Sequence, residues 1–320
     1  MKNRPPTIFL VLAPLASALR VTVVGGTGFV GSRVCKALVG SDVAVTSLSK
    51  SGSVPQWAAD EAWSKSVDWA AVDLLGDDAA TIDGAMGAPD AVISCVGVVN
   101  PEPEILRSGN GVANQNAFAS ARRAAVKRVV YIGVASEVVA CEENWLPFAR
   151  EEFGAYFEGK RMAEEAAAAA TGGDATRLCV LKPTFIYGGE SFDLPLPGKF
   201  VAPRVSLAYG SAVEEILSLK PIQALADAAP GLIKVALRPP SSVDAVATAC
   251  VKAALGELTT GAATRRAVGT LDGTEAINAA AGAQTPTVVR EALARVGDKI
   301  ADFTEKFFQA MQNRLDGVGK

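Results

Sequence analysis

Short β-branched runs alternate with longer amphipathic stretches along most of this chain. Arg20 to Val24 is a compact apolar run closed by Gly25-Gly26 and predicts a buried strand. Phe29 to Val39 predicts a helix stopped near Gly40. Val43 to Leu48 predicts a second strand, Val67 to Val72 a weaker third, Ala91 to Val96 a fourth and Arg128 to Ile132 a fifth. The Ala-rich stretch Asn110 to Val126 predicts a helix, and Cys179 to Leu181 opens a sixth strand closed by Pro183. Glu151 to Ala170 is a run of strong helix formers ending at Gly172-Gly173. Strands alternating with helices predict an α/β fold, a doubly wound parallel Rossmann sheet covered on both faces.

The alternation then lapses. Residues 189–240 collect seven prolines and predict a small irregular cap over the sheet, its apolar stretch running from Phe192 to Leu237. Val243 to Leu255 predicts a closing helix. The nucleotide-binding domain is thus expected to span 19–258, with 259–285, rich in Gly, Ala and Thr, as a linker. Thr285-Pro286 then starts a long amphipathic helix, 286–316, with Val289, Leu293, Val296, Ile300, Phe303, Phe307, Met311 and Leu315 at spacings of three or four. Its mixed charges suit a protein partner, or its own domain, better than a membrane surface.

Composition narrows the chemistry. Of 320 residues, 49% are hydrophobic, which excludes general disorder. The formal net charge of -3 argues against nucleic-acid binding. There is no histidine, so Ser-His-Asp and Cys-His nucleophiles, His-ligated zinc and an imidazole base are all excluded. Five scattered cysteines without a CxxC pair read as buried free thiols, and no metal motif is present. Residues 1–18 carry Lys2, Arg4, the apolar run Thr7 to Ala16 and the small-residue site Ala16-Ser17-Ala18. They read as a secretory-type signal or, since the first acidic residue is Asp42, as an organellar transit sequence. The run is too short to span a bilayer.

Between the first strand and helix lies Gly25-Gly26-Thr27-Gly28-Phe29-Val30-Gly31. Gly25 allows the tight turn, Gly28 the approach of a pyrophosphate, and Gly31 close packing of helix on strand. The pyrophosphate of a dinucleotide would sit on the helix N-terminus. The second strand ends in Ser49-Lys50-Ser51 with no carboxylate, which favours a 2′-phosphate, hence NADP, and leaves NAD open. Asp73-Leu74 after the third strand is placed to meet the adenine, or is a simple turn. Tyr156 and Lys160 stand four apart on one helical face. A neighbouring ammonium favours the phenolate, so the tyrosine can exchange a proton with a carbonyl oxygen while the lysine also holds the nicotinamide ribose.

These motifs, with Cys95-Val96-Gly97 after the fourth strand and Lys182-Pro183 after the sixth, resemble the extended or atypical branch of the short-chain dehydrogenase/reductase superfamily from Arg20 to about Leu255. Ser47 to Gly52, Val92 to Gly97 and Tyr156 to Arg161 are similar to an organellar group. That group includes chloroplast NAD(P)-binding proteins and relatives of the complex I accessory subunit and of a protein linked with coenzyme Q biosynthesis. The resemblance implies a plastid or mitochondrial oxidoreductase in which Tyr156 and Lys160 are catalytic. Cys95, Val96, Gly97 and Pro183 would lie against the nucleotide. The catalytic hydroxyl expected after the fifth strand is Ser136, or is missing if Ala135 is the true equivalent. The apolar cap suggests a hydrophobic carbonyl or quinone substrate. Two alternatives remain: a non-catalytic nucleotide-holding assembly factor acting through helix 286–316, and a nucleotide-sugar epimerase or dehydratase.

Overall fold

The computed structural model describes residues 19–141, 150–188, 206–258, 269–292 and 294–295. The first half runs β1 (Arg20–Val24), α1 (Phe29–Val39), β2 (Ala44–Ser49), β3 (Val67–Ala71), α2 (Ala79–Met86), β4 (Ala91–Ser94), α3 (Pro103–Arg107), α4 (Ala113–Arg123) and β5 (Arg128–Ile132). There follow α5 (Ser136–Val139), α6 (Arg150–Ala170), β6 (Leu178–Lys182), β7 (Ile186–Tyr187), α7 (Leu207–Leu217), α8 (Lys220–Ala228) and α9 (Gly231–Ala236). The last described elements are β8 (Ser241–Ser242), α10 (Val243–Leu255), β9 (Thr270–Asp272) and α11 (Gly273–Ala281). Seven strands form one parallel sheet in the order β3-β2-β1-β4-β5-β6-β9. The chain direction across the sheet reverses between β1 and β4, which opens a crevice beyond the carboxyl ends of these strands.

The strands carry apolar residues on both faces, so successive side chains serve different cores. Val130 and Ile132 pack with α1, α10 and α11, while Val129 and Tyr131 pack with α2, α4 and α6. On the second face Ala163, Ala167 and Ala170 are buried. Their small side chains let α6 lie close against the sheet, which explains the alanine run.

Three expectations need correction. The described part of the region 259–285, from residue 269 on, is not a linker: β9 pairs with β6 (Val180 beside Thr270, Lys182 beside Asp272), and α11 buries Ile277 against the main core. The Rossmann domain therefore extends through residue 281. The signal was weak because a three-residue strand with only Leu271 buried shows no usable period. The described cap is not irregular either, since 206–240 holds three short helices. Its prolines start helices: Pro221 lies in the first turn of α8 and Pro230 is the N-cap of α9. Finally, α4 starts at Ala113 after a π-helical turn, Ser108–Val112, rather than at Asn110. The segments 1–18 and 189–205, and the terminal helix beyond residue 295, lie outside the described residues.

Two adjacent carboxylates on α7 fasten the cap. Glu214, 2% exposed, accepts the Tyr187 hydroxyl at 2.6 Å and the Asn278 amide at 2.7 Å, joining β7, α7 and α11. Glu215, also buried, accepts the backbone N–H groups of Val289 (2.6 Å) and Arg290 (3.0 Å) and so caps the helix that begins at residue 288.

Burial raises the Glu214 carboxyl above its ordinary value of 4.5, and the two hydrogen bonds only partly oppose it. A carboxyl whose folded pKa is raised binds its proton more tightly in the folded than in the unfolded chain. It therefore favours folding fully at low pH, and that contribution is lost as pH rises from 4.5 through the folded value. The neutral Glu214→Gln variant should lose less thermal stability than the parent between pH 5 and pH 8, approximate conditions chosen to bracket that rise. Parallel melting curves check this, and equal pH slopes would refute it.

Candidate functional site

The glycine turn is built as its spacing requires. Gly25 has φ +79°, a conformation L side chains avoid, and a Cβ there would stand 3.2 Å from the Cys95 carbonyl carbon and the Val96 nitrogen. At Gly31 a Cβ would lie 2.2 Å from the Gly25 oxygen, so no side chain fits. Gly28 is the N-cap of α1, and no side chain caps that helix or places an acid in its first turn. The helix end formed by Phe29, Val30 and Gly31 therefore suits an anion. Gly26, whose spacing carried no signal, is equally constrained: its Cβ would meet the Ser47 oxygen at 2.3 Å. Thr27 lies half-buried in the turn. This cradle fits a dinucleotide pyrophosphate.

At the adjacent strand ends, Ser49 Oγ accepts the Gly52 N–H at 3.1 Å, and Gly52 sits pressed on β3. Ser51 is exposed. Lys50 pairs with Asp73 at 2.7 Å. Asp73 lies below the ordinary carboxylate range because of that lysine, and Lys50 is raised in turn. The candidate phosphate-binding cation thus already has a carboxylate partner. Leu74 is a core residue, with its carbonyl accepting the Asn116 amide at 2.8 Å.

The strand that follows the switch point is held by two buried asparagines that sequence reading passed over. Asn110, in the π-helical turn, donates to the Val98 (2.8 Å) and Leu106 (2.9 Å) carbonyls and accepts the Val98 N–H at 3.1 Å. Asn114 donates to the Val96 carbonyl at 3.3 Å and accepts the Ser94 hydroxyl at 2.5 Å. Together they fix Cys95-Val96-Gly97. A Cβ at Gly97 would stand 3.3 Å from the Lys160 ammonium nitrogen, so that glycine makes room for the lysine.

Lys160, 6% exposed, donates to the Ile132 carbonyl at 3.3 Å. Its nitrogen lies 5.4 Å from the Tyr131 ring and 5.6 Å from the Tyr156 ring. Burial pulls the ammonium down to about 8, against an upward pull from Glu164. Burial pushes Tyr156 up to about 12. The direction is opposite to the lowering expected from the lysine, and its cause is desolvation, which favours the neutral phenol, a proton donor. Sequence reading also missed Tyr131, whose buried hydroxyl has no hydrogen-bond partner among the described residues.

Ser136 is exposed, opens α5, and uses its backbone N–H on Asp272 at 3.1 Å. Its neighbour Ala135 is buried, and the Ala135 N–H donates to the buried Pro183 carbonyl at 3.0 Å. The structure brings Lys160 beside Gly97 and the Tyr156 ring.

Beyond β5, β6 and β9 opens a cavity of about 950 Å³ that reaches Ala135 and Thr184. Its wall carries Glu137, Arg238, Asp272 and Glu275. Arg238 binds Glu137 through two bonds of 2.5 and 2.7 Å and Asp227 at 2.7 Å. Among the described cap residues, Leu207, Tyr209, Ile216, Leu225 and Ile233 are exposed.

The model of the NAD dependent epimerase/dehydratase family matches residues 21–220. A chloroplastic protein of Arabidopsis thaliana, itself uncharacterised, is 33% identical over 235 residues, covering 73% of this chain and 71% of that one. The MIOREX complex component 2 of Saccharomyces cerevisiae is 38% identical over 61 residues, 18% of this chain and 22% of that one. Among solved structures, the UDP-Glc/GlcNAc 4-epimerase of Campylobacter jejuni superposes with TM-score 0.52 at 16% identity, covering 84% and 85% of the two chains. That likeness concerns the fold.

Because the Gly31 position faces backbone, which cannot swing aside, Gly31→Ala should destabilise the protein by about 1–3 kcal/mol. Gly84→Ala, at a position open to solvent, should not. Denaturant titration of the two variants checks this, and equal stabilities would refute it.

Proposed function

We propose that this chain, which belongs to the NAD dependent epimerase/dehydratase family, is a nicotinamide-nucleotide-dependent oxidoreductase acting at a carbonyl or the corresponding alcohol. The observation that carries the reading is the buried Lys160 beside both Gly97 and the Tyr156 ring, at the carboxyl end of the sheet next to the glycine turn. Gly25, Gly28 and Gly31 would admit the pyrophosphate, and Cys95, Val96, Gly97 and Pro183 would flank the nicotinamide half. A bound nicotinamide nucleotide supplies or accepts the hydride. The chain's own residues manage the proton. In the reductive direction Tyr156 donates its phenolic proton to the carbonyl oxygen, and Lys160 stabilises the phenolate left behind. With Ser136 exposed, carbonyl polarisation falls chiefly to Tyr156. The chloroplastic relative supports a plastid location.

NADP is the proposed cofactor, with Lys50 exchanging Asp73 for the 2′-phosphate. A nucleotide-sugar reading has the fold in its favour, but Lys182, placed after β6, is engaged by Glu164 at 2.8 Å rather than free for a phosphate. A structural role in an assembly has one observation behind it: the terminal helix is fixed at its start by Glu215, while residues 290–292 and 294–295 are exposed. Deleting residues 286–320 and finding the native assembly size unchanged would remove that support.

Purified protein should oxidise NADPH with at least one member of a panel of polar and apolar carbonyl compounds. Tyr156→Phe should lower that rate on the order of 10²-fold or more, and an unchanged rate would overturn the reading. For cofactor choice, Asp73→Asn should shift the ratio of affinities toward NADP over NAD and Lys50→Ala should shift it back. Fluorescence titration measures both, and a ratio unmoved by either variant would count for NAD.

A further inference from the structure

Tyr156, Lys160 and Glu164 repeat at intervals of four along α6 and share the face turned to the sheet. Every group around the Lys160 ammonium is identifiable. From β5 come the Tyr131 ring and the Ile132 carbonyl. From the segment after β4 come the Cys95 thiol and Gly97, with the Asn110 amide behind it. From α6 itself come the Tyr156 ring and, one turn on, the Glu164 carboxylate. In this set Glu164 is the carboxylate, and it pulls the Lys160 ammonium upward. It is not free to turn away. Its Oε2 is held by Lys182, at the end of β6, at 2.8 Å. Its Oε1 approaches the Gly133 backbone so closely that a Cβ there would stand 2.9 Å from it. Three elements, α6, β5 and β6, therefore fix one carboxylate beside a lysine that burial would otherwise discharge.

We propose that Glu164 is a positioning residue for the Tyr156–Lys160 pair, its carboxylate, anchored by Lys182, keeping Lys160 charged in its desolvated pocket. The inference rests on the reading of Lys160 as the partner of Tyr156 and of the nicotinamide ribose. Lys182 has a secondary role: it aims the carboxylate while offering a competing positive charge. The two neighbours thus act on Lys160 with opposite sign, which separates an electrostatic role from simple support of the fold.

The test is a direct titration of Lys160. Protein labelled with ¹³C at lysine Cε is followed by NMR from about pH 6 to 10, a range bracketing the midpoint near 8. The resonance is assigned by its loss in Lys160→Met. In Glu164→Gln the midpoint should fall by about one pH unit or more. In Lys182→Met, which breaks the same ion pair, it should not fall. That pattern supports the assignment. A midpoint unchanged or raised in Glu164→Gln, or lowered in Lys182→Met, overturns it. If Glu164→Gln does not fold, the sign in Lys182→Met decides alone. Adding NADPH to the parent protein distinguishes the underlying reading: a Lys160 resonance indifferent to saturating NADPH would reject the ribose contact while leaving the role of Glu164 standing.

Discussion

Keeping a lysine charged where water scarcely reaches is the constraint on which this site depends. An ammonium moved out of water loses solvation that only fixed dipoles and an opposite charge can replace. Around Lys160 those replacements come from the carbonyl of Ile132, the faces of two tyrosine rings and the carboxylate of Glu164. The requirement reaches outward. Gly97 leaves the ammonium room, since a Cβ there would crowd it at 3.3 Å. The segment bearing Gly97 then needs Asn110 and Asn114 to satisfy its backbone groups. The π-helical turn places Asn110 at the start of the α4 region, from where it reaches back to Val98.

The sheet contributes the other half of the arrangement. Parallel strands bring the ends of β1, β4, β5 and β6 to one edge, so groups from four separate segments converge there. The glycine turn, the Asn-held segment, Ala135 and Pro183 all lie at that edge. The cap is attached by buried carboxylates rather than by apolar packing alone, through Glu214 to β7 and α11 and through Glu215 to the terminal helix. This explains how α7 can leave Leu207, Tyr209 and Ile216 exposed and still be fixed in place.

What was legible in the sequence follows the strength of its periodicity. β1, α1, β5 and α10 match their apolar runs residue for residue, because each run is long and bounded by glycine, a hydroxyl residue or charge. The roles of Gly25 and Gly31 were legible because strand, turn and helix are contiguous. β9 and α11 were not, since a three-residue strand and a helix of small residues leave no period, and the partner strand of β9 lies about 90 residues earlier in the chain. The asparagines were missed for a related reason. Asn110 and Asn114 look like ordinary helix-surface residues until the segment after β4 is folded against them. The hydrophobic substrate was inferred from composition, which cannot say whether apolar side chains face a cavity or solvent.

The lack of histidine gives these opposed shifts a further meaning. Burial acts on both Tyr156 and Lys160, and it acts against charge in each. It raises Tyr156 to about 12 and lowers Lys160 to about 8. Between these values the phenol keeps its proton while the lysine loses its own. Of the two, the group that titrates nearer physiological pH is therefore the lysine, not the tyrosine proposed to exchange a proton with substrate. In most proteins a titration in this range would be assigned first to an imidazole. Here there is none. The pocket thus converts a lysine into the pH-sensitive element, and Glu164 and Lys182, which pull on it in opposite directions, set where that sensitivity falls.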